Sequence, residues 1–307
     1  MDPLPATAVF VFGLTFGSFL NVCIHRIPRE ISVVTPHSAC PQCRHAIQPY
    51  DNIPVLSWLM LRGRCRHCGA PISPRYAAVE LLTAFLFLAC YAQFGLTIFT
   101  LKYCVFSFLI VGLIFMDAEW KLLPDAFTLP GLAAGLGFSL VAPLNDVVAQ
   151  MVAGMLSART GPISWRWLSF ADALLGAALG AFFFYGIAML YLHARGREGM
   201  GLGDVKLMAM VGAFLGVRLT VLTIFGASLV GSLFGLVTVL TVWMKRTRRR
   251  MARNREPAGV ARRRAWRSAR TVYRYYEMPF GVFLGAMALV ALFFGHRLLH
   301  WYWGVYL

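Results

Sequence analysis

The chain has 307 residues, of which 59% are apolar and 14% charged, and its mean hydropathy is +0.65. No soluble domain of this size hides so much apolar surface, so the composition excludes a water-soluble globular protein and indicates an all-α polytopic membrane protein. The net charge of +16 is carried mostly by arginine and falls unevenly along the chain, which makes it a signal of orientation.

Apolar stretches that can span a bilayer run over 4–23, 76–94, 98–116, 126–141, 170–192, 205–217, 219–243 and 279–294, so about eight transmembrane helices are expected. The sixth is short and the fourth is rich in glycine. The first stretch has no basic n-region, carries Asp2 and is followed by no small-residue cleavage site, so we read it as a retained span and not as a signal peptide. With the amino terminus outside, the loops at 26–75, around Lys121, at 195–206 and at 245–274 all face the cytoplasm. Of the 29 basic residues, only Lys102, Arg159, Arg166, Arg218 and Arg297 then lie outside, and the reverse orientation would invert this bias.

Near the end of the first span, Gly17, Ser18 and Asn21 share one helical face. Small and amide-bearing residues there suit close helix packing or a polar contact with bound substrate. The loop that follows holds Cys40-Pro41-Gln42-Cys43 and then Cys65-Arg66-His67-Cys68 before Gly69. Two C-x-x-C knuckles at this separation match a zinc ribbon, with Cys40, Cys43, Cys65 and Cys68 as the four thiolate ligands. Disulfides compete with that reading, but a loop on the reducing side of the membrane does not normally keep them; an iron centre or a redox pair would draw on the same four thiols. About 50 residues rich in proline and arginine build little core, and a metal would supply the missing folding energy. His37, His45 and His67 read as solvated neighbours, and Cys23, Cys90 and Cys104 as small core residues. Arg75 and Glu80 open the second span, where Glu80 is placed to pair with Arg75 at the surface.

Two further stretches carry acids at the membrane edge. Asp117 ends the third span, ahead of Glu119, Lys121, Pro124 and Asp125, and Asp204 follows Gly199, Gly201 and Gly203 at the mouth of the sixth. Gly loses the most conformational entropy on ordering, and a carboxylate near hydrocarbon costs roughly 3 kcal/mol on insertion scales, so such a segment points to a site where another backbone approaches closely. In the orientation above, Asp117 and Asp204 lie at the same depth. Two carboxylates sharing a site do not both ionise easily, and one acid with one base is what hydrolysis of a peptide bond through an activated water requires. Asp125 is the rival partner for Asp204, but after Pro124 it reads as a helix amino-terminal acid. Glu119 and Lys121 read as a solvated pair.

Residues 143–169 form an additional outside loop of unassigned role. Residues 245–274 carry about 13 basic residues, which we place on anionic headgroups and not on nucleic acid, since Trp266 and Tyr273 are too few for a stacking platform. The chain divides into a first transmembrane helix (1–25), a cytoplasmic zinc-binding loop (26–75), a membrane core (76–244), a basic cytoplasmic insertion (245–277) and a last transmembrane helix with the carboxyl terminus (278–307).

Taken in order, these motifs resemble the bacterial type IV prepilin peptidases, also called leader peptidase and N-methyltransferase, which are membrane aspartic proteases of the GxGD type. The resemblance rests on Gly17-Ser18-Phe19-Leu20-Asn21, both cysteine pairs, Asp51-Asn52-Ile53-Pro54-Val55-Leu56-Ser57-Trp58, and Leu61-Arg62-Gly63-Arg64-Cys65. It continues through Ile72-Ser73-Pro74-Arg75-Tyr76, Leu123-Pro124-Asp125, Gly201-Leu202-Gly203-Asp204-Val205-Lys206 and Pro279-Phe280-Gly281. It implies a multi-pass enzyme of the bacterial inner membrane. Such an enzyme cuts the basic leader from prepilins and pseudopilins after a glycine at the cytoplasmic face, then methylates the new amino terminus with S-adenosylmethionine. It also implies catalytic roles for Asp117 and Asp204, with Gly201, Gly203, Lys206 and Asp125 binding substrate or supporting the loop. The retained cysteine loop implies the bifunctional type, with structural zinc, while no methyl-donor fingerprint of the soluble kind is visible. Two readings from other classes stand beside it: an ion-coupled transporter built on a broken helix and intramembrane acids, and a non-catalytic scaffold for pilus or secretion assembly.

Overall fold

The computed structural model describes residues 2–144, 164–196, 201–254, 257–275 and 278–304. Nine α-helices follow in order among them: α1 (Pro3–Arg26), α2 (Leu56–Met60), α3 (Arg75–Phe94), α4 (Ile98–Trp120), α5 (Asp125–Ser139), α6 (Trp165–Arg195), α7 (Leu202–Asn254), α8 (Ala258–Tyr275) and α9 (Phe280–Trp303). Two isolated bridges, Ala39 with Ala46 and Arg64 with Pro71, are the only extended pairing among the described residues. Most of the expected 143–169 loop lies outside the described residues, as does Arg159.

Six of these helices are long and apolar enough to cross a membrane, which makes this a multi-pass membrane protein. All eight expected stretches are helical, with two adjustments. The fourth is the 15-residue α5, interrupted internally by Pro130. The sixth and seventh are two helices that follow each other directly within α7, separated by the non-helical Gly216, where φ is 77° and ψ −179°. Only glycine takes that backbone geometry readily, so the bend sits where the sequence permits it.

Close helix contacts explain how the bundle holds its shape. A Cβ built on Gly17 of α1 would lie 2.6 Å from the Glu80 Cα of α3, and one on Gly212 of α7 would lie 2.1 Å from the Gly176 carbonyl oxygen of α6. Backbones that near to one another gain dispersion contacts that larger side chains would forbid. Between them runs a core that includes Leu20, Phe106, Leu113, Met116, Phe184, Met208 and Phe214.

Lys102, counted from sequence among the outside residues, is fully buried in α4. Its ammonium lies 5.3 Å from the Tyr103 ring centroid and is drawn electrostatically to the buried Asp172 of α6. Charges inside a bundle are tolerated when opposite charges lie within electrostatic reach of one another, as these two do.

The basic insertion is a helical hairpin. The end of α7 packs against α8, which buries Ala261, Ala265 and Ala269, one per turn, on its inner face. The Trp243 and Trp266 rings meet edge to face at 5.9 Å, and Trp243 Nε1 donates to the Arg262 carbonyl at 3.1 Å. Arg246 donates to the Ser268 hydroxyl. The apolar stripe of α8 is therefore used inside the hairpin, leaving Arg263, Arg264, Arg267 and Arg270 on the exposed side.

Candidate functional site

The last turn of α4 presents Asp117 inward, 6% exposed. The helix ends because Lys121 turns left-handed at φ 52° and donates its N–H back to the Asp117 carbonyl at 2.9 Å. Lys121, Leu122, Leu123 and Pro124 then connect to α5, and the Leu123 side chain gathers the neighbouring motifs. A Cβ on Gly203 would lie 3.0 Å from Leu123 Cβ, and one on Gly281 would lie 3.2 Å from Leu123 Cδ1 and 2.9 Å from Asp117 Oδ2. The Val282 N–H donates to Asp117 Oδ2 at 2.9 Å, and the Gly281 N–H also serves that carboxylate. The start of α9 is thus a two-donor cradle that any residue larger than glycine at 281 would fill.

Asp204 sits half-buried in the first turn of α7, one residue beyond Gly203, and its carboxyl is within Coulombic reach of Asp117. Residues 87 apart in sequence therefore converge where α4, α7 and α9 meet. A Cβ on Gly201 would lie 3.9 Å from Gly203 N, an ordinary contact, whereas the room beside Gly203 is taken by Leu123. Part of the glycine stretch, 197–200, lies outside the described residues. Asp125 is drawn away from the pair: Lys206 Nζ reaches its two oxygens at 2.6 and 2.9 Å, joining the first turns of α5 and α7. Nothing in the chain alone singles out Leu123 or the Gly281 and Val282 amides beyond their place in motifs, since their roles exist only once three helix ends are assembled.

One surface expectation is corrected. Arg75 pairs with Glu119 and not with Glu80. Glu80, 8% exposed, instead accepts the Val55 N–H at 2.7 Å, with the Ser18 hydroxyl also in hydrogen-bond reach. The Arg29 guanidinium lies 4.5 Å from the Trp120 ring centroid, so the cysteine loop and the Asp117 turn are fastened together at one end of the bundle.

Within that loop the four sulfurs of Cys40, Cys43, Cys65 and Cys68 all lie within 4.8 Å of one another, and Cys40 Sγ is 3.8 Å from Cys68 Sγ. A tetrahedron with Zn–S bonds of about 2.3 Å has edges of about 3.8 Å, so the donor set and its size fit zinc. The two knuckles repeat one geometry. Arg44 N donates to Cys40 O and Gly69 N to Cys65 O, both at 2.9 Å, and both donors have positive φ, 58° and 70°. The Cys43 and Gln42 amides point at Cys40 Sγ and bring its thiol down to about 6, which favours a thiolate ligand at neutral pH. His45 and His67 stack on each other at 3.5 Å and stay outside the cluster. Arg66 grips Asp51 through two nitrogens at 2.6 and 2.8 Å, holding that carboxyl below its usual range, and Trp58 Nε1 donates to Ile72 O at 3.1 Å.

Comparison with known proteins matches two family descriptions in succession. The Bacterial Peptidase A24 N-terminal domain covers residues 11–94, and the Type IV leader peptidase family covers residues 103–236. The chain belongs to the type IV leader peptidase family. Relatives named prepilin leader peptidase/N-methyltransferase include one from Myxococcus xanthus, 41% identical over 84% of this chain and 70% of its own length. Another, from Aeromonas hydrophila, is 33% identical over 96% of this chain and 92% of its own, and one from Pseudomonas aeruginosa is 34% identical over 74% and 78%. No solved structure matches. In this leader peptidase the N-terminal match contains all four cysteines, and the second match contains Asp117, Asp125 and Asp204.

Proposed function

We propose that the protein is a membrane aspartic endopeptidase that removes the basic leader of a prepilin or pseudopilin after a glycine, with Asp117 and Asp204 as the catalytic pair, and then methylates the new amino terminus. The observation that carries this reading is the convergence of those two carboxyls at the end of the bundle, beside the glycines at 201 and 203. Asp117 Oδ2 is occupied by backbone N–H donors, which leaves its other oxygen to take a proton from water. The hydroxide formed attacks the scissile carbonyl carbon while Asp204 gives its proton to the carbonyl oxygen. The tetrahedral intermediate then collapses: the C–N bond breaks, the proton held by Asp117 passes to the departing amine, and a hydroxyl proton of the intermediate returns to Asp204 as the C=O bond reforms. Gly201 gives an extended substrate backbone room to approach. Lys206 and Asp125 hold the first turns of α5 and α7 around it.

The catalytic end belongs on the cytoplasmic side of the bacterial inner membrane, because the arginine-rich loop and the α7–α8 hairpin carry most of the chain's positive charge. The structural metal is zinc, held by the four cysteines, and the methyl donor is S-adenosylmethionine. Incubating the reconstituted protein with a prepilin and S-adenosylmethionine should yield a product lacking its leader and heavier by one methyl substitution in the mass spectrum; intact prepilin would overturn the reading.

The hairpin reads as an electrostatic contact with anionic headgroups, not an inserted helix, because its apolar stripe is already covered. Each basic residue near such a surface contributes about 1 kcal/mol. Replacing Arg263, Arg264, Arg267 and Arg270 with Gln should lower binding of the detergent-solubilised protein to phosphatidylglycerol vesicles at low salt. No difference from the parent protein would remove the assignment.

A further inference from the structure

Between the inner ends of α1 and α3 and the cysteine loop lies a cavity of about 600 Å³ that the aspartate pair does not use. Its size falls in the range of about 300–1,000 Å³ typical of small-molecule and cofactor sites. Its wall is mainly apolar, with aromatic surface from Trp58 and Tyr76, polar groups from Ser18, Asn21 and Glu80, and the charged pair Arg66 and Asp51 with Arg26 also on the lining. Two of those polar groups are unusual. Asn21 is 4% exposed; its amide nitrogen donates to the Tyr76 carbonyl at 3.0 Å, but its Oδ1 has no hydrogen-bond partner. A buried acceptor left unmet costs about 1–3 kcal/mol, so it marks a place where a donor belongs.

Glu80 is the second. In a chain of net charge +16 it has no basic side chain among the described residues as a partner, because the adjacent Arg75 is committed to Glu119. It is held by the Val55 N–H, and Val55 stands at φ 59° and ψ −47°, a positive-φ geometry that a β-branched residue adopts only under strain. Backbone strain of this kind persists where the surroundings over-determine it and gathers at ligand sites. The cavity therefore offers an acid, an unmet acceptor and aromatic faces, with guanidinium groups of Arg26 and Arg66 also on its lining, and these are complementary to a zwitterionic ligand that carries a cationic centre, a carboxylate, N–H or O–H donors and a flat ring.

We infer that this cavity is the binding site for S-adenosylmethionine, with Glu80 and Asn21 receiving its donors and positive charge, and Trp58 and Tyr76 its ring system. The inference deepens the methylation reading above and rests on it. The bound donor supplies a methyl group on a sulfonium. The residues here bind and orient it, at the same end of the bundle as Asp117, because Arg75 and Arg29 fasten this loop to the last turn of α4.

The test measures donor binding directly, by equilibrium dialysis of labelled S-adenosylmethionine against the full-length, zinc-replete protein in nanodiscs. Loss of a charge-assisted contact should weaken binding about tenfold or more in Glu80→Gln, which keeps the shape and the acceptor for Val55. Asn21→Leu should weaken it as well. In the parent protein, ultraviolet cross-linking of the labelled donor should place the adduct on peptides that contain Trp58 or Tyr76, a readout independent of how any variant folds. Undiminished affinity in Glu80→Gln with methylation of the pilin intact, or an adduct mapped to α6 or α7, would overturn the cavity assignment alone. Absence of both donor binding and methylation in the parent protein would overturn the methylation reading together with it.

Discussion

Asn in place of Asp117 or of Asp204 is expected to leave a folded, zinc-containing protein that cleaves prepilin about a thousandfold more slowly or not measurably, since a positioned acid or base contributes about 10²–10⁴ each. The amide keeps the volume and the hydrogen bond from Val282, so packing around Leu123 and Gly281 should survive. What disappears is the ability to hold or release a proton. Because the two groups act on the same water and carbonyl, the double variant should be scarcely worse than either single one, as is usual for residues that work as a unit. Initial rates of leader removal in proteoliposomes check this. Near-normal cleavage by either single variant would exclude the mechanism, as would losses that simply multiply.

Replacing Cys40, Cys43, Cys65 and Cys68 together by Ser should abolish metal content, read by elemental analysis of purified protein. The loop from Ile27 to Pro74 contains only short 3₁₀ turns, the five-residue α2 and two isolated bridges, so besides a few side-chain contacts such as Arg66–Asp51 and Trp58–Ile72 its course depends on the four sulfurs. Structural zinc sites of this type supply about 10–16 kcal/mol of apparent binding energy in isolated peptides at neutral pH, far more than the loop's few buried side chains can replace. The cavity beneath the loop is walled by the same segment, whereas Asp117 and Asp204 stand on long helices. Methyl transfer should therefore fall further than leader cleavage. Stoichiometric zinc in the four-Ser variant would exclude the cysteines as ligands.

Much of this architecture was legible in the chain itself, and the reasons are local. Long apolar stretches become helices in lipid because their backbone groups must be satisfied internally, so the positions of the spans followed from composition. The cysteine spacing set the geometry of the knuckles, and the placement of acids at two membrane edges was enough to look for a meeting point. What stayed hidden depends on contacts between distant segments. The bend at Gly216 falls in an apolar stretch with several other glycines, and only packing selects it. That Lys102 is buried, within electrostatic reach of Asp172 from α6, could not be read from its place near the start of an apolar stretch. Glu80 and Arg75, five apart, seemed natural partners, yet Val55 and Glu119 compete for them from elsewhere in the chain and win. Leu123 has no chemistry of its own and becomes important only as the surface on which Gly203 and Gly281 rest.

The final turn of α4 carries Asp117 toward the interior and, two and three residues later, Glu119 and Trp120 toward the cysteine loop, where Arg75 and Arg29 hold them. One coil of helix is a stiff lever of about 5.4 Å. The contacts that fasten the cysteine loop and the inward-facing Asp117 therefore share a single turn of backbone, so the loop and that carboxylate are held in one fixed relation.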